Sequence, residues 1–311
     1  MTAAGFVAGP VTVQVPATSA NLGPGFDCLG VALQLHDVLT AEVTGTGLEV
    51  RAEGEGAGDL PTDDTHLVVR AMADVFMRVG VLPPGLRLTC RNRIPQGRGL
   101  GSSSAAIVGG MVLARALLAD ATVLTDADLL SLANLREGHP DNVAPALLGG
   151  LVVSGCEPGP DSTQRRTWAL RAALSEGLAT TLFVPPTGLS TDEARRLLPA
   201  EVPHATAAAN TGRVALLMVA LAGAPEAALP GMLLRATEDF LHQDFREPAM
   251  PETLAFLRTL RAAGVPASVS GAGPSILAWR TGAEPLDVET PDGWLRLDLA
   301  VDHAGARVLD S

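Results

Sequence analysis

Residues 95–106 have the sequence PQGRGLGSSSAA: three alternating glycines, three serines and the start of an apolar run. Gly97, Gly99 and Gly101 can adopt positive φ without steric cost, so the backbone can form a tight concave loop. Such a loop turns N–H groups toward an anion, and the helix predicted after it adds the positive end of its dipole. The stretch therefore indicates a phosphate-binding loop, with an ordinary Gly/Ser loop before a helix as the alternative.

This glycine loop differs from two common nucleotide-binding patterns. A Walker A loop needs Gly-Lys-Ser/Thr, whereas this chain contains no lysine and all 22 basic residues are arginines. The spacing Gly-x-Gly-x-Gly also differs from the Gly-x-Gly-x-x-Gly of dinucleotide-binding folds. A nucleotide held here would have to be bound through backbone amides, a metal ion and arginine.

Composition excludes several classes of partner. The chain has 311 residues, of which 47% are apolar and 18% charged, so two domains are favoured over a single large α/β domain. A net charge of −12 argues against nucleic acid as a partner. No secretory signal or bilayer-length apolar run is present, so we expect no membrane partner. Three widely spaced cysteines indicate reduced thiols of a cytoplasmic protein.

Two polar clusters lie beside predicted secondary structure in the first half. Residues 11–20 alternate like a strand and lead into the turn 21–27, NLGPGFD, where Asn21 and Asp27 are binding candidates or simply turn formers. Residues 137–142, EGHPDN, follow a helix predicted from Asp126 to Arg136. This second cluster is dense in carboxylates and needs partners if it is buried.

The residues of the second cluster suggest different roles. Glu137 is a candidate metal ligand, whereas Asp141 and Asn142 are candidate substrate contacts or a general base. His139 fits a turn residue better than a catalyst, because no nucleophile or metal-ligand pattern accompanies it.

Capping signals place further helices. Asp63-Asp64-Thr65 predicts the start of a helix over 66–80, and the glycine loop leads into a buried helix over 103–118. In the second half, Ser190 to Glu193 matches a capping box, and Arg195 and Arg196 in the short helix after it are surface charges by default. Later predictions are helices over 206–221, 232–241 and 251–264, and a strand, glycine turn and strand over 267–279.

Three motifs together resemble the GHMP small-molecule kinases: PATSANLGPGFDCLG at 16–30, PQGRGLGSSSAA at 95–106 and SVSGAGPS at 268–275. Their order and spacing match over essentially the whole chain. The first motif and EGHPDNVAPALLGG at 137–150 are similar to the homoserine kinases within that family.

The resemblance implies an α+β, two-domain GHMP kinase fold. Residues 1–160 would form an ATP-binding domain similar to the second domain of ribosomal protein S5. Residues 161–311 would form a ferredoxin-like domain. The polar, proline-containing stretch 157–167 independently suggests a domain boundary there. The implied activity is ATP-dependent, Mg²⁺-assisted phosphorylation of L-homoserine at its side-chain hydroxyl, on the way to threonine, in a cytoplasmic homodimer.

Site residues are carried over by motif. The nucleotide would be bound by Pro95, Gly97, Arg98, Gly99, Leu100, Gly101, Ser102, Ser103, Ser104 and Ala105. Mg²⁺ would be held by Ser103 and Glu137. Homoserine would contact Asn21, Asp27, His139, Asp141, Asn142, Thr191, Arg195 and Arg246. Two arginines suit an amino-acid carboxylate, because a guanidinium binds it bidentately.

The same resemblance bears on mechanism. Because the chain has no lysine, it cannot form the aspartate–lysine pair of mevalonate kinase, so the resemblance implies direct attack by the substrate hydroxyl. Asp141 and Asn142 are the catalytic candidates. Asp141 either accepts a proton or binds the substrate ammonium. His66 stands where the family often has asparagine near the adenine. A kinase of another alcohol and a non-catalytic sensor are alternatives, disfavoured by the paired arginines and the metal ligands.

Overall fold

The computed structural model describes residues 5–158, 165–223, 229–282 and 284–309. In chain order the strands are β1 (Val11–Ala20), β2 (Leu29–Thr44), β3 (Gly47–Gly54), β4 (Gly85–Asn92), β5 (Leu151–Pro158), β6 (Arg165–Ala172), β7 (Leu178–Val184), β8 (Ala267–Val269), β9 (Ile276–Thr281), β10 (Leu295–Leu299) and β11 (Arg307–Leu309). The α-helices are α1 (Leu67–Val79), α2 (Ser102–Leu117), α3 (Asp126–Glu137), α4 (Pro140–Leu148), α5 (Thr191–Arg196), α6 (His204–Leu221), α7 (Leu229–Ala236) and α8 (Pro251–Ala262).

The first sheet is organised around the long strand β2. Its main path runs β11-β1-β2-β4-β3, and β5 pairs with β2 while β6 pairs with β5. β2 can serve both branches because residues 38–44 pair with β4 whereas residues 29–31 pair with β5. β3 and β4 are parallel, as a connection through helix α1 requires.

Helix α2 packs in the core of this first sheet. Its apolar side chains, from Ala105 to Leu117, are buried almost all round, as its sequence predicts. The helix thereby fixes the glycine loop, which ends at its first residue, against a rigid support. This core also includes Leu217 and Leu277 from the second half of the chain.

The second sheet has the order β10-β7-β9-β8, and each of these pairs is antiparallel. Helix α8 covers it through Leu254, Leu257 and Leu260, which belong to a separate hydrophobic cluster. Two sheets with packed helices confirm the predicted α+β class.

The expected division after residue 160 stays a prediction, and residues 159–164 lie outside the described residues. The first sheet is not confined to residues 1–160, since β6 pairs with β5 and β11 pairs with β1. Among the described residues, no helix is both long and apolar enough to cross a bilayer.

Two departures from the predicted helix boundaries have a side-chain cause. Helix α1 is capped by His66, whose Nδ1 accepts from the Val68 N–H at 3.3 Å, rather than by residues 63–65. Helix α7 ends at Ala236 instead of residue 241, because the carboxylate of Asp239 accepts from the N–H groups of residues 241–243 and turns the backbone out of the helix.

Candidate active site

Loops from both halves of the chain converge on one open cleft. The cleft is lined by the glycine loop, by the turn after β1, by the junction of α3 and α4, by the start of α5 and by the turn after β8. Its lining residues with functional side chains or main-chain groups are Asn21, Phe26, Asp27, Gly97, Gly99, Leu100, Gly101, Ser102, Ser103, Glu137, His139, Asp141, Asn142, Thr191, Arg195, Arg246 and Gly271.

The glycine loop is fixed through its carbonyl groups. Gly97 O accepts from Leu189 N at 2.9 Å, Gly99 O from Ser270 Oγ at 2.6 Å, and Leu100 O from Thr18 N at 3.0 Å. In a trans peptide the N–H of the next residue points opposite to the carbonyl. The N–H groups after these three carbonyls therefore point away from the supporting protein and remain available for an anion.

All three loop glycines have positive φ, as the sequence predicts: 62° at Gly97, 71° at Gly99 and 67° at Gly101. At Gly99 the backbone is also closely packed, since a Cβ atom there would lie 2.1 Å from Ser270 O. At Gly97 the nearest atom to such a Cβ, Leu189 O, would be 3.9 Å away. Gly99 thus contacts protein, whereas Gly97 borders open space in the cleft.

Arg98 supports the loop with its side chain. Its guanidinium donates to the carbonyl groups of Gln96, Pro185 and Pro186, which ties the loop to the end of β7. A contact between Arg98 and a nucleotide therefore rests on its peptide N–H.

Ser103, Ser104 and Glu137 form the candidate metal site. Both hydroxyls donate to Glu137 Oε1, from Ser103 Oγ at 2.9 Å and from Ser104 Oγ at 2.7 Å. The serines do not cap α2, whose N-cap is Gly101 without a side-chain bond. Hydroxyl and carboxylate oxygens suit Mg²⁺, which takes one or two carboxylates and completes its octahedron with water and phosphate oxygens.

Acidic, cysteine and histidine side chains do not form a larger metal cluster here. In the part of the chain that the structure describes, no group of three or more such residues could hold a metal ion. An ion beside Glu137 would therefore need oxygen ligands from the nucleotide.

The start of α4 places three of the expected substrate residues in the cleft. His139 is the N-cap, and its Nδ1 donates to Asp141 Oδ1 at 2.7 Å. Burial opposes a charged imidazole, but the hydrogen bond to Asp141 and the charges of Asp141 and Glu137 outweigh it and raise the pKa of His139. Asn142 is held by Thr18, whose Oγ1 donates to Asn142 Oδ1 at 2.7 Å.

Asp27 and Arg195 form an ion pair in the lining of the cleft. Arg195 donates two hydrogen bonds to the Asp27 carboxylate, at 3.1 Å and 2.6 Å. This contact removes Arg195 from the ordinary class of surface arginines, whereas its neighbour Arg196 is exposed. Thr191, the first residue of α5, lines the cleft beside them.

Asn21 joins the first motif to the third. Its Nδ2 donates to Gly271 O at 2.8 Å, and its Oδ1 accepts from Asp27 N at 3.0 Å. Asn21 and Asp27 both have positive φ, of 67° and 57°, a conformation that asparagine and aspartate tolerate better than most residues. Asn21 therefore shapes the turn that presents Asp27.

Arg246 is the second arginine of the cleft, and it is only 1% exposed. Its Nη1 lies 3.1 Å from His242 Nδ1 and 3.0 Å from Gly271 O. Burial, together with the nearby charge of Arg195, lowers the pKa of Arg246 to about 10, so it stays protonated at neutral pH. Phe26 lies under both guanidinium groups, 5.5 Å from that of Arg195 and 5.8 Å from that of Arg246.

A second cavity, of about 240 Å³, borders the glycine loop at Gly97 and Ser103. Its lining is largely apolar, with Leu39, Leu60, Leu67, Val68 and Ala106 among its residues. His66 also lines it, is 3% exposed, and has no partner for Nε2 within the described residues. Since Nδ1 accepts from Val68 and burial lowers the pKa of His66, the proton of this neutral ring is on Nε2.

Sequence reasoning missed several residues that build the site: Thr18, Phe26, Ser104 as a partner of Glu137, and His242. Thr18 and Phe26 lie inside the first motif, so the motif itself was a usable signal. His242 precedes Arg246 by four residues, the spacing of neighbours on one helical face.

Comparison with known proteins gives concordant matches. The family model described as GHMP kinases N terminal domain matches residues 66–150. Homoserine kinase of Streptomyces avermitilis is 48% identical over 307 residues, covering 98% of this chain and 97% of the relative. Homoserine kinase of Clavibacter michiganensis is 49% identical over 308 residues, covering 96% of this chain and 93% of the relative.

Solved structures agree with these sequence matches. The crystal structure of homoserine kinase from Cytophaga hutchinsonii superposes with a TM-score of 0.79 at 24% identity, covering 99% of both chains. The putative homoserine kinase from Listeria monocytogenes has a TM-score of 0.69 at 28% identity, covering 97% of this chain and 99% of the other. These neighbours confirm the predicted GHMP kinase fold. With nearly half its residues identical to such relatives over almost its whole length, the chain belongs to the homoserine kinase family of GHMP kinases.

Proposed function

We propose that this protein transfers the γ-phosphoryl group of ATP to the side-chain hydroxyl of L-homoserine, giving O-phospho-L-homoserine and ADP. The single observation that carries the proposal is the pairing of two chemistries in one cleft. A glycine loop with free N–H groups forms one end, and two guanidinium groups with two aspartates form the other. The first suits a polyphosphate and the second suits a zwitterionic amino acid.

The donor nucleotide would occupy the glycine loop and the adjoining apolar cavity. The phosphates would accept hydrogen bonds from the loop N–H groups and from the first turn of α2, where the helix dipole is positive. The base would lie in the cavity that contains His66, because this cavity borders the same loop at Gly97 and Ser103. His66 Nε2–H is then the donor for a ring nitrogen of the base.

Mg²⁺ would be held by Ser103 and Glu137, whose oxygen atoms already lie 2.9 Å apart. Bound there, the ion would neutralise part of the negative charge on the phosphate groups. Ser104, by donating to the same carboxylate oxygen, keeps Glu137 oriented toward the loop.

The amino-acid acceptor would be bound by its two charged groups. Its carboxylate suits Arg195 and Arg246, while its ammonium suits Asp27 and Asp141. In the free protein Asp27 and Arg195 form an ion pair with each other. Homoserine would insert between them, its ammonium taking the place of Arg195 beside Asp27 and its carboxylate taking the place of Asp27 beside Arg195. Thr191 and Asn21 line the same end of the cleft.

Positioning would supply most of the catalysis. The homoserine hydroxyl oxygen attacks the γ-phosphorus, the bond to the ADP oxygen breaks, and the hydroxyl proton passes to a phosphoryl oxygen. Asp141 accepts a hydrogen bond from His139 Nδ1 at 2.7 Å. A carboxylate that already accepts a hydrogen bond is better suited to bind an ammonium than to act as a general base. We therefore assign Asp141 to the substrate ammonium and Asn142 to the side of the substrate hydroxyl.

The proposal is tested by the choice of acceptor. Purified protein with MgATP should release ADP rapidly with L-homoserine and much more slowly with mevalonate or shikimate. ³¹P NMR of the product should give a phosphate monoester on the amino acid. A faster reaction with mevalonate or shikimate would overturn the assignment of the substrate.

Cellular setting and assembly are part of the same proposal. All three cysteines are free, in keeping with the cytoplasm. The family resemblance supports a homodimer, and the acidic net charge of −12 supports the absence of a nucleic-acid partner.

A further inference from the structure

Arg246 is a buried cation without an acidic partner. It is 1% exposed, and within the described ranges no carboxylate forms a close ion pair with it, although Asp239, Asp27 and Asp141 act on it at longer range. Its Nη1 is held by two neutral acceptors, His242 Nδ1 at 3.1 Å and Gly271 O at 3.0 Å. A buried charge is costly unless a counter-charge arrives, so this arrangement favours an anionic ligand.

The imidazole of His242 has a defined tautomer. It is fully buried, and its Nε2 lies 2.7 Å from Gly23 O. A carbonyl oxygen only accepts, so Nε2 carries the proton and the lone pair of Nδ1 accepts from Arg246. Burial lowers the pKa of His242, although the nearby Asp239 acts in the opposite direction, so the ring stays neutral.

Surrounding contacts fix the position of this imidazole. The carboxylate of Asp239 accepts from the backbone N–H of His242 at 2.9 Å and from that of Gln243 at 2.7 Å. The ring of Phe26 stacks on the imidazole at 5.2 Å between centroids and 27° between planes. His242 therefore also joins Arg246 to the turn that carries Gly23 and Asp27.

We propose that His242 is a positioning residue, which orients Arg246 toward the substrate carboxylate through a hydrogen bond that does not itself neutralise the guanidinium charge. This inference rests on the proposed function. A carboxylate in place of the imidazole would orient Arg246 equally well, but it would form an ion pair that the substrate must displace. A neutral acceptor provides the geometry without that competition. The two arginines therefore differ in the free protein: Arg195 is ion-paired with Asp27, whereas Arg246 is held by neutral acceptors.

A pair of amide variants separates the two nitrogen atoms of the ring. In His242→Asn the side-chain oxygen can occupy the place of Nδ1 and keep the contact with Arg246. In His242→Gln the longer amide can reach Gly23 O in the place of Nε2, and the side-chain acceptor for Arg246 is lost while Gly271 O remains. We expect His242→Gln to raise the homoserine KM about tenfold or more, since hydrogen bonds to charged groups are strong. His242→Asn should stay within about threefold of the wild type, and both variants should keep the KM for ATP.

An acceptor without a carboxylate distinguishes positioning from simple core packing. The alcohol 3-amino-1-propanol is homoserine without its carboxylate, so it cannot use Arg246. The wild type and His242→Gln should therefore turn it over at equal rates. Isothermal titration of homoserine in the presence of a non-hydrolysable ATP analogue should give the same tenfold weakening as the KM.

A matched control is His36→Gln. His36 also binds a buried partner, Asp302, at 2.7 Å, but it lies outside the cleft lining. This variant should leave the homoserine KM unchanged, whatever its effect on the melting temperature. Equal losses with homoserine and 3-amino-1-propanol, or a homoserine KM unchanged in His242→Gln, would overturn the role of His242. An inactive wild type would instead contradict the proposed function.

Discussion

The two ends of the cleft are built from different kinds of polar group. At the donor end, the glycine loop presents peptide N–H groups while its carbonyl groups are bonded to Thr18, Leu189 and Ser270. At the acceptor end, charged side chains come from separate segments of the chain, with Asp27 and Arg195 already paired across 168 positions. One end is built from main chain and the other from side chains.

This difference determines which substitutions each end tolerates. A main-chain site is insensitive to side-chain chemistry but sensitive to any added Cβ atom or to a change in φ. A side-chain site responds to the loss of a single charge while the fold stays intact. The donor end should therefore be a fixed element, and the acceptor end should set which alcohol is phosphorylated.

The largest effect on activity is expected at Glu137, a residue of the donor end whose side chain is proposed to act directly. Glu137→Gln removes the carboxylate proposed to hold Mg²⁺, and kcat should fall by about a hundredfold to a thousandfold. The kcat is measured by coupled detection of ADP at saturating homoserine. Glu201→Gln, at an exposed loop position, is the charge-matched control and should keep wild-type kcat. Full activity in Glu137→Gln would remove the metal role from this carboxylate.

Alanine at two loop glycines tests the main-chain character of the donor end. In Gly99→Ala the new Cβ would lie 2.1 Å from Ser270 O at a φ of 71°, so the free energy of unfolding should fall by about 2–4 kcal/mol. In Gly97→Ala the nearest atom would be 3.9 Å away, and only the cost of positive φ remains, about 1–2 kcal/mol. Urea unfolding measures both. Equal destabilisation would contradict the close packing of Gly99.

Arg195 tests the side-chain character of the acceptor end. Arg195→Ala should raise the homoserine KM about 10- to 100-fold, because a bidentate, charge-assisted contact is lost, and should leave the KM for ATP nearly unchanged. Arg196→Ala, one position along the same short helix and exposed, is the control. If the two variants behave alike in initial-rate kinetics, Arg195 does not contact the substrate.

His66 should give the smallest effect, because one neutral hydrogen bond is at stake. His66→Leu removes the Nε2–H donor from the base cavity and should raise the KM for ATP about fivefold. His66→Asn can keep both the donor and the cap of α1, so its KM should return toward the wild type. Titration with a fluorescent ADP analogue checks binding without turnover. A weaker affinity in His66→Asn than in His66→Leu would contradict the assignment.

Local pattern was sufficient for much of the fold. Alternating residues gave β1, and a proline at the first turn with glycine after the end framed α8. Where a side chain competes with the backbone, local pattern failed: His66 caps α1 in place of residues 63–65, and Asp239 ends α7 early. Such competition depends on which polar group is closer in three dimensions.

For the site, the motifs identified the participants but not their partners. Ser103 and Glu137 were expected together, and they are in contact. The bonds between Asp27 and Arg195 and between Thr18 and Asn142 join residues whose sequence gives no sign of a shared contact. They form only because the fold brings segments that are distant in sequence together.

The bond from Asn21 to Gly271 spans 250 positions, so it bears on how the protein acquires its site as it folds. The turn that presents Asp27 contains successive residues at positive φ and is stabilised by a segment made near the end of synthesis. Contacts of such long sequence separation form late, because closing the loop between them is entropically unfavourable. A nascent chain could form strands β1 to β6 around α2 before it gains substrate affinity, whereas β11, the edge strand of the same sheet, is added last. Two fragments divided between β6 and β7 would then be inactive apart and regain activity only on reassociation.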